Sequence, residues 1–254
     1  GIVGIGMVGG TLRRYFVEKK GYIENENLFS FDIDPHKGFF GDPNTAEVIF
    51  IAVPTPRSAD GSADLSMMEQ AIQSVTGAKI IVIKSTVPPG TSDYFQNRFP
   101  RHRILFNPEF LTEAHAWENM LNPDRQIVGF TKKSKNIASL VLSLLPSASV
   151  QSPIRELTLT AVEAEIVKYA ANIFLARKIA FANAIHDLAG HLGADYEQIR
   201  MGVGVDPRIG NSHLDVWHGG YRGYGGYCFI KDTDALIAKY KELGILDAAT
   251  LFES

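Results

Sequence analysis

The chain has 254 residues, of which 45% are hydrophobic and 21% charged, and its formal net charge is −3. That length holds one large or two modest domains, and the absence of a basic excess argues against nucleic acid as the main partner. A single cysteine rules out an intramolecular disulfide framework and points to a reducing cytoplasm, and no apolar run approaches the roughly 18 residues of a membrane-spanning helix.

In chain order, residues 1–5 read as a short apolar strand and residues 8–19 as a helix with Leu12, Tyr15 and Phe16 on one face. The sequence opens directly on that strand without an initiator Met or secretory leader, so its front edge reads as trimmed. Residues 28–33 form a second strand ending at Asp32 and Asp34, followed by a short connection rich in Gly and Pro. A β-rich run over 48–53 closes on Pro54-Thr55-Pro56, and residues 65–75 are helical. Further strands fall at 79–84, 103–106 and 126–130. Short apolar strands alternating with helices predict a parallel α/β sheet. The pattern changes near 146–153. A helix then runs from Thr160 to about Leu192, with Val162, Ile166, Tyr169, Ile173, Ala176 and Ala180 recurring at three and four spacing. Such a helix spans about 45 Å, too long for one small domain, and so links two domains or meets a partner subunit.

Gly4-Ile5-Gly6-Met7-Val8-Gly9 lies between the first strand and the first helix, in the G-x-G-x-x-G pattern of a dinucleotide site. Gly4 permits the tight turn, Gly6 lets a pyrophosphate approach the backbone, and Gly9 permits close helix–strand packing. The helix beginning at Met7 and Val8 offers free N–H groups and its dipole to the anion. Asp32, ending the second strand, suits the ribose hydroxyls and disfavours a 2′-phosphate, so the cofactor is NAD rather than NADP.

Three further segments carry polar residues that a core would not select. Lys84 to Thr91 follows a strand's C-terminal end, the edge at which parallel sheets bind ligands. Asn107 to Glu113 places Glu109 and Glu113 four apart, and Lys168 and Asn172 share a face of the long helix. The lone Cys228 sits in Gly223-Tyr224-Gly225-Gly226-Tyr227-Cys228-Phe229-Ile230-Lys231-Asp232. A neighbouring cation lowers a thiol pKa and favours the reactive thiolate, whereas a lone cysteine by itself is more often an inert buried thiol.

Together these segments resemble the UDP-glucose/GDP-mannose dehydrogenase family. The matching stretches are GIVGIGMVGG, VIFIAVPTP with ADGSADLS, VIKSTVPPGT, NPEFLTEA with NPDRQIVG, EAEIVKYAANIFLA, GVDPRIG and GYGGYCFIKD, in family order. The resemblance implies a Rossmann-type doubly wound parallel sheet, a long connecting helix and a small all-helical central domain. The expected division is 1–150 for NAD and 151–254 for the central part with the catalytic cysteine. It also implies a homodimer through helix 160–192, with neither nucleic acid nor membrane as partner, and no metal. The implied reaction is the oxidation of the C6 hydroxyl of a nucleotide sugar with two NAD, UDP-glucose to UDP-glucuronate being the default.

By the same resemblance Cys228 is the nucleophile, forming a thiohemiacetal and then a thioester. Lys168 and Asn172 stabilise the oxyanion, and Asp232 and Thr86 hold the catalytic water. Glu109 is the base for thioester hydrolysis. Pro54, Thr55, Thr86, Glu113 and Lys37 join the cofactor site. Phe110, Leu111, Gly225 and Lys231 join the substrate site, and Arg208 reaches the partner's substrate. The connection after Asp34 is shorter than the family's, Ala184 follows Asn183 where the family has Glu, and Tyr227 and Ile230 flank the cysteine unusually. The family's third domain, which binds the base, lies outside this sequence, which therefore reads either as a fragment or as a short homologue that completes its site with another chain. Two other readings share part of the pattern: a two-electron hydroxyacid-type dehydrogenase, and a catalytically silent NAD-binding module.

Overall fold

The computed structural model describes residues 1–148, 156–218, 220–223 and 227–245, with Tyr227 and Cys228 described by their backbone only. Two compact units divide the chain, Gly1–Ser58 with Ala63–Lys168, and Ala59–Ser62 with Tyr169–Ser254.

The first unit is built on strands β1 (Ile2–Val3), β2 (Ser30–Phe31), β3 (Val48–Ile51), β4 (Ile80–Ile83), β5 (Arg103–Phe106), β6 (Gln126–Phe130) and β7 (Glu156–Thr160). Their order in the sheet is β2-β1-β3-β4-β5-β6-β7. Neighbours pair in parallel except β5 and β6, which run antiparallel. Helices α1 (Met7–Lys20), α2 (Ser66–Gln73), α3 (Thr91–Arg98), α4 (Ala116–Leu121) and α5 (Ala138–Leu144) accompany the strands, and α6 (Ala161–Leu192) follows β7.

The apolar runs of the central strands have a direct cause. Val82, Leu105 and Val128 join Leu12, Phe16, Met120 and Val141 in one core. Ile81, Ile83, Ile104, Phe106 and Ile127 join Met68, Ile72, Phe95 and Ala164 in a second. Successive side chains of a strand point to opposite faces. A sheet covered on both faces therefore selects continuous Val, Ile, Leu and Phe instead of alternation. Gly129 in β6 is where the start of α6 comes closest, since an added Cβ would lie 2.8 Å from Ala164 Cβ and 2.9 Å from Ala161 Cα.

The short connection after Asp34 has a structure of its own. Two single-turn helices, Pro35–Lys37 and Pro43–Thr45, are each N-capped by the preceding aspartate, Asp34 and Asp42. Between them Phe40 bridges Phe31 in antiparallel sense. The Asp32 N–H donates to the Phe39 carbonyl at 3.1 Å, and the Gly41 N–H to the Ser30 carbonyl at 2.8 Å. This segment thereby satisfies backbone groups along the outer edge of β2.

In the second unit α6 continues to Leu192 and is followed by α7 (Tyr196–Gly204), a hairpin of β8 (Trp217–His218) and β9 (Tyr221–Arg222), and α8 (Tyr227–Glu242). Among its described residues the unit's regular structure is helical apart from that hairpin. Asp195 caps α7, and Tyr196 donates its hydroxyl to the Leu214 carbonyl at 2.7 Å. One expectation for α6 is corrected. Ile166, assigned to the apolar stripe, is 49% exposed, while its neighbour Glu165 is fully buried.

Candidate functional site

At the turn from β1 to α1, Gly4 has φ +89, a left-handed conformation that favours glycine. A Cβ there would lie 2.6 Å from the Ala52 carbonyl oxygen, and one on Gly9 would lie 1.9 Å from the Gly4 oxygen. A Cβ on Gly6 would meet nothing within 4 Å, so the space over the turn is open. Gly6 is the N-cap of α1, no side chain caps it, and no acidic residue stands in its first turn. The leading N–H groups at Met7, Val8 and Gly9 have no partner within the helix and suit an anion. This cradle fits the pyrophosphate of a dinucleotide.

Asp32, at the end of β2, is nearly buried. Its Oδ2 accepts from the Ile5 N–H at 2.6 Å and from Lys37 Nζ at 2.8 Å, and its Oδ1 accepts from the Asp34 N–H at 2.9 Å. Burial opposes ionisation, but Lys37 and these N–H groups outweigh it and hold the carboxyl below its ordinary pKa. An ionised carboxylate has about four lone-pair sites, so Oδ1 keeps capacity for a ribose hydroxyl. The loops after β3 and β4 are tied together beside this turn. Thr55 Oγ1 donates to the Thr86 carbonyl at 2.8 Å and Ser85 Oγ to the Val53 carbonyl at 2.6 Å. Pro54 is exposed and Thr86 half-buried at that edge.

The second grouping of the first unit centres on Glu109. Its Oε1 accepts from Lys168 Nζ at 3.1 Å and its Oε2 from the Leu111 N–H at 2.7 Å. Lys168 Nζ also lies 5.4 Å from the Phe110 ring centroid, and the Arg125 guanidinium covers that ring at 3.7 Å. Glu113 stands exposed on a single-turn helix, Glu113–His115, while Glu109 is the inward carboxylate of the two. The buried Lys84 gives Nζ to Asn107 Oδ1 at 2.5 Å. Asn107 in turn donates Nδ2 to Gln126 Oε1 and to the Ile127 carbonyl, at 2.9 and 2.7 Å. Burial lowers the Lys84 pKa to about 8, Glu109 opposing the shift and Lys168 reinforcing it. Lys84, Glu109, Phe110, Leu111, Asn119 and Arg125 line one cleft. Lys84 and Arg125 belong to this grouping without having been singled out for a role in the sequence. The signal for Lys84 was a lysine ending a fully apolar strand, which demands a partner.

In the second unit Asp232 is buried. Its Oδ2 accepts from Asn172 Nδ2 and its Oδ1 from Lys231 Nζ, each at 2.6 Å. Cys228 and Asp232 are one turn apart in α8, and Lys168 and Asn172 one turn apart in α6. Lys231 is thus held by Asp232. Arg208 is exposed and pairs with Asp206 at 2.6 Å. Asn183 accepts from Arg222 Nε at 3.2 Å. Gly225 lies outside the described residues. Among the described residues no acidic, histidine or cysteine cluster suits a metal ion, and no helix is long and apolar enough to cross a membrane.

Comparison with known proteins agrees with this geometry. Residues 22–144 match the NAD binding domain of the UDP-glucose/GDP-mannose dehydrogenase family, and residues 162–253 match its central domain. The UDP-glucose 6-dehydrogenase of Rickettsia bellii is 39% identical over 199 residues, covering 75% of this chain and 44% of that protein. That of Pseudomonas aeruginosa is 41% identical over 213 residues, covering 78% and 46%. The chain thus spans less than half the length of these curated relatives. A solved UDP-glucose dehydrogenase from the hyperthermophilic archaeon Pyrobaculum islandicum superposes with a TM-score of 0.79 at 30% identity, covering 99% of this chain and 66% of that one. The cradle at Gly4 to Gly9, Asp32 beside it and the two family matches lead to one conclusion: the chain belongs to the UDP-glucose/GDP-mannose dehydrogenase family and carries its NAD-binding and central domains.

Proposed function

We propose that the protein catalyses the NAD-dependent four-electron oxidation of the C6 hydroxyl of a nucleotide sugar, with UDP-glucose as substrate and UDP-glucuronate as product. Family membership supports the reaction class, and the observation that carries the reading is the buried pairing of Lys168 with Glu109. A cation and a carboxylate held together away from water suit charge stabilisation and proton transfer. In this reading residues 1–150 hold the cofactor through Gly4, Gly6, Met7, Val8, Gly9, Asp32, Lys37, Pro54, Thr55, Thr86 and Glu113. Residues 151–254 carry the nucleophile.

NAD, when bound, accepts a hydride in each of two oxidations. The chain's own groups do the rest. In the first oxidation the C6 hydroxyl loses its proton, and Lys168 and Asn172 steady the developing oxyanion. The Cys228 thiolate then adds to the aldehyde carbon, forming a C–S bond, and the oxygen takes a proton. The second oxidation leaves a thioester. Water held by Asp232 and Thr86 attacks that carbon, Glu109 removes the water's proton, and the C–S bond breaks to release the acid and the thiolate. Overall one alcohol and one water become one carboxylate with loss of four electrons. Phe110, Leu111, Gly225, Lys231 and a partner's copy of Arg208 position the sugar nucleotide.

The protein acts as a homodimer in the cytoplasm in this reading. Phe174, Phe181 and Leu188 support the dimer, being exposed at seven-residue spacing along α6. The test of the covalent route is Cys228→Ser, assayed for sugar acid by mass spectrometry. Loss of acid formation by at least about 10³-fold is expected, in line with removal of a covalent nucleophile. Acid formation at the wild-type rate would overturn the route.

A further inference from the structure

We infer that Glu165 is a positioning residue that fastens the helix bearing Lys168 to the loop bearing Thr86, and so sets where Lys168 meets Glu109. The inference rests on the proposed dehydrogenase reading for its catalytic meaning, though its geometry stands alone. Glu165 is fully buried in the first turns of α6. Its Oε2 accepts from the Gly90 N–H at 2.6 Å and its Oε1 from the Ser92 N–H at 2.8 Å. Those N–H groups open α3, whose own N-cap is Gly90 in a left-handed conformation with no side chain to close the helix. Such N–H groups need an acceptor when water is excluded. The carboxylate from α6 is therefore a cap supplied by a different element, on the stretch Lys84 to Thr91 that also holds Thr86.

The arrangement transmits position. Glu165 and Lys168 are three residues apart on α6 and lie on neighbouring positions of one face. A helix anchored at Glu165 is fixed in rotation and in height at Lys168. Lys168 Nζ to Glu109 Oε1 is a single contact of 3.1 Å, so a rotation of α6 would break it. Gly129, which lets α6 sit against β6, supports the same placement from the sheet.

The test compares Glu165→Ala and Glu165→Gln with the wild type by two readouts. The first is the acetylation rate of each lysine with acetic anhydride, followed by peptide mass spectrometry. Lys168 and Lys84 are equally shielded at 4% exposure, so Lys84 serves as the internal control for folding. In Glu165→Ala the acetylation of Lys168 should rise about tenfold with Lys84 unchanged, and Glu165→Gln, which keeps one acceptor, should stay within about threefold. Unchanged Lys168 labelling in Glu165→Ala overturns the inference, as does an equal rise at Lys84 and Lys168. The second readout is turnover. Glu165→Ala should lower kcat about tenfold with the KM for NAD unchanged, and Glu165→Gln should recover most of it. A loss confined to the KM for NAD overturns the positioning role. A wild type that oxidises no nucleotide sugar would refute the proposed function, while the labelling still decides the role of Glu165.

Discussion

Glu165 and Lys84 are both ionisable groups placed where water does not reach, and burial disfavours the charged form of each. Burial pushes the Glu165 carboxyl up to about 7, with Asp93 adding to the shift and hydrogen bonds from Ser92 and Gly90 opposing it. Desolvation therefore outweighs the hydrogen bonds. The folded state holds its proton more tightly than the unfolded chain, so stability is greatest below the ordinary value of 4.5 and falls as pH rises to about 7. A shift of that size corresponds to about 3 kcal/mol at most. Glu165→Gln should flatten this slope, which urea unfolding between pH 4.5 and 7.5 would measure; an unchanged slope would show that Glu165 does not titrate in this range. At the cofactor end, Asp32→Asn should weaken NAD binding by about tenfold, read by calorimetry, because a charged acceptor for the ribose becomes neutral. Asp32 was legible in the sequence because the end of the second strand, about 20 residues beyond the glycine turn, has a known physical role. Glu165 was not, because the periodicity of α6 assigns Ile166 to the interior. The helix in fact turns a carboxylate inward to cap α3, a need that arises only in the folded chain.

At the scale of elements, the glycine turn and α6 carry the most specific expectations. Gly9→Ala would force its Cβ to within 1.9 Å of the Gly4 carbonyl oxygen, a backbone atom that cannot yield without moving the turn. The expected cost is about 1–3 kcal/mol in stability, with weaker NAD binding, measured by thermal unfolding with and without NAD. Phe181→Glu, at an exposed site on α6, should convert the dimer proposed above to monomer in light scattering. A dimer that survives the charge would place the interface elsewhere. Strands β1 to β6 were legible from their apolar runs, and β5 and β6 match their expected bounds of 103–106 and 126–130, whereas β7, with the alternating sequence ELTLT, and the two-residue strands β8 and β9 were not singled out. Helices α3, α4, α5 and α7 were not singled out. The first is short and polar, with sequence TSDYFQNR, while the next two have only the six residues AWENML and the seven residues ASLVLSL. Short helices of this kind owe their formation to packing more than to propensity. The antiparallel turn of β6 against β5 has no mark in periodicity, since a strand buried on both faces reads the same in either direction.

For the molecule as a whole, the glycine turn, Asp32 and the ordered motifs made the α/β architecture and the family readable before any coordinates. The resemblance already drew Glu109, Phe110 and Lys168 into one site, whereas adding Lys84 and Arg125 to that grouping needed the fold, because they come from separate segments. The central claim is a four-electron oxidation, and it is tested most directly by counting. Purified protein is given limiting UDP-glucose and excess NAD, and NADH is measured by absorbance against product identified by mass spectrometry. The account predicts two NADH for each UDP-glucose consumed, with UDP-glucuronate as product. One NADH per substrate, or NAD binding without oxidation of any nucleotide sugar, would contradict it.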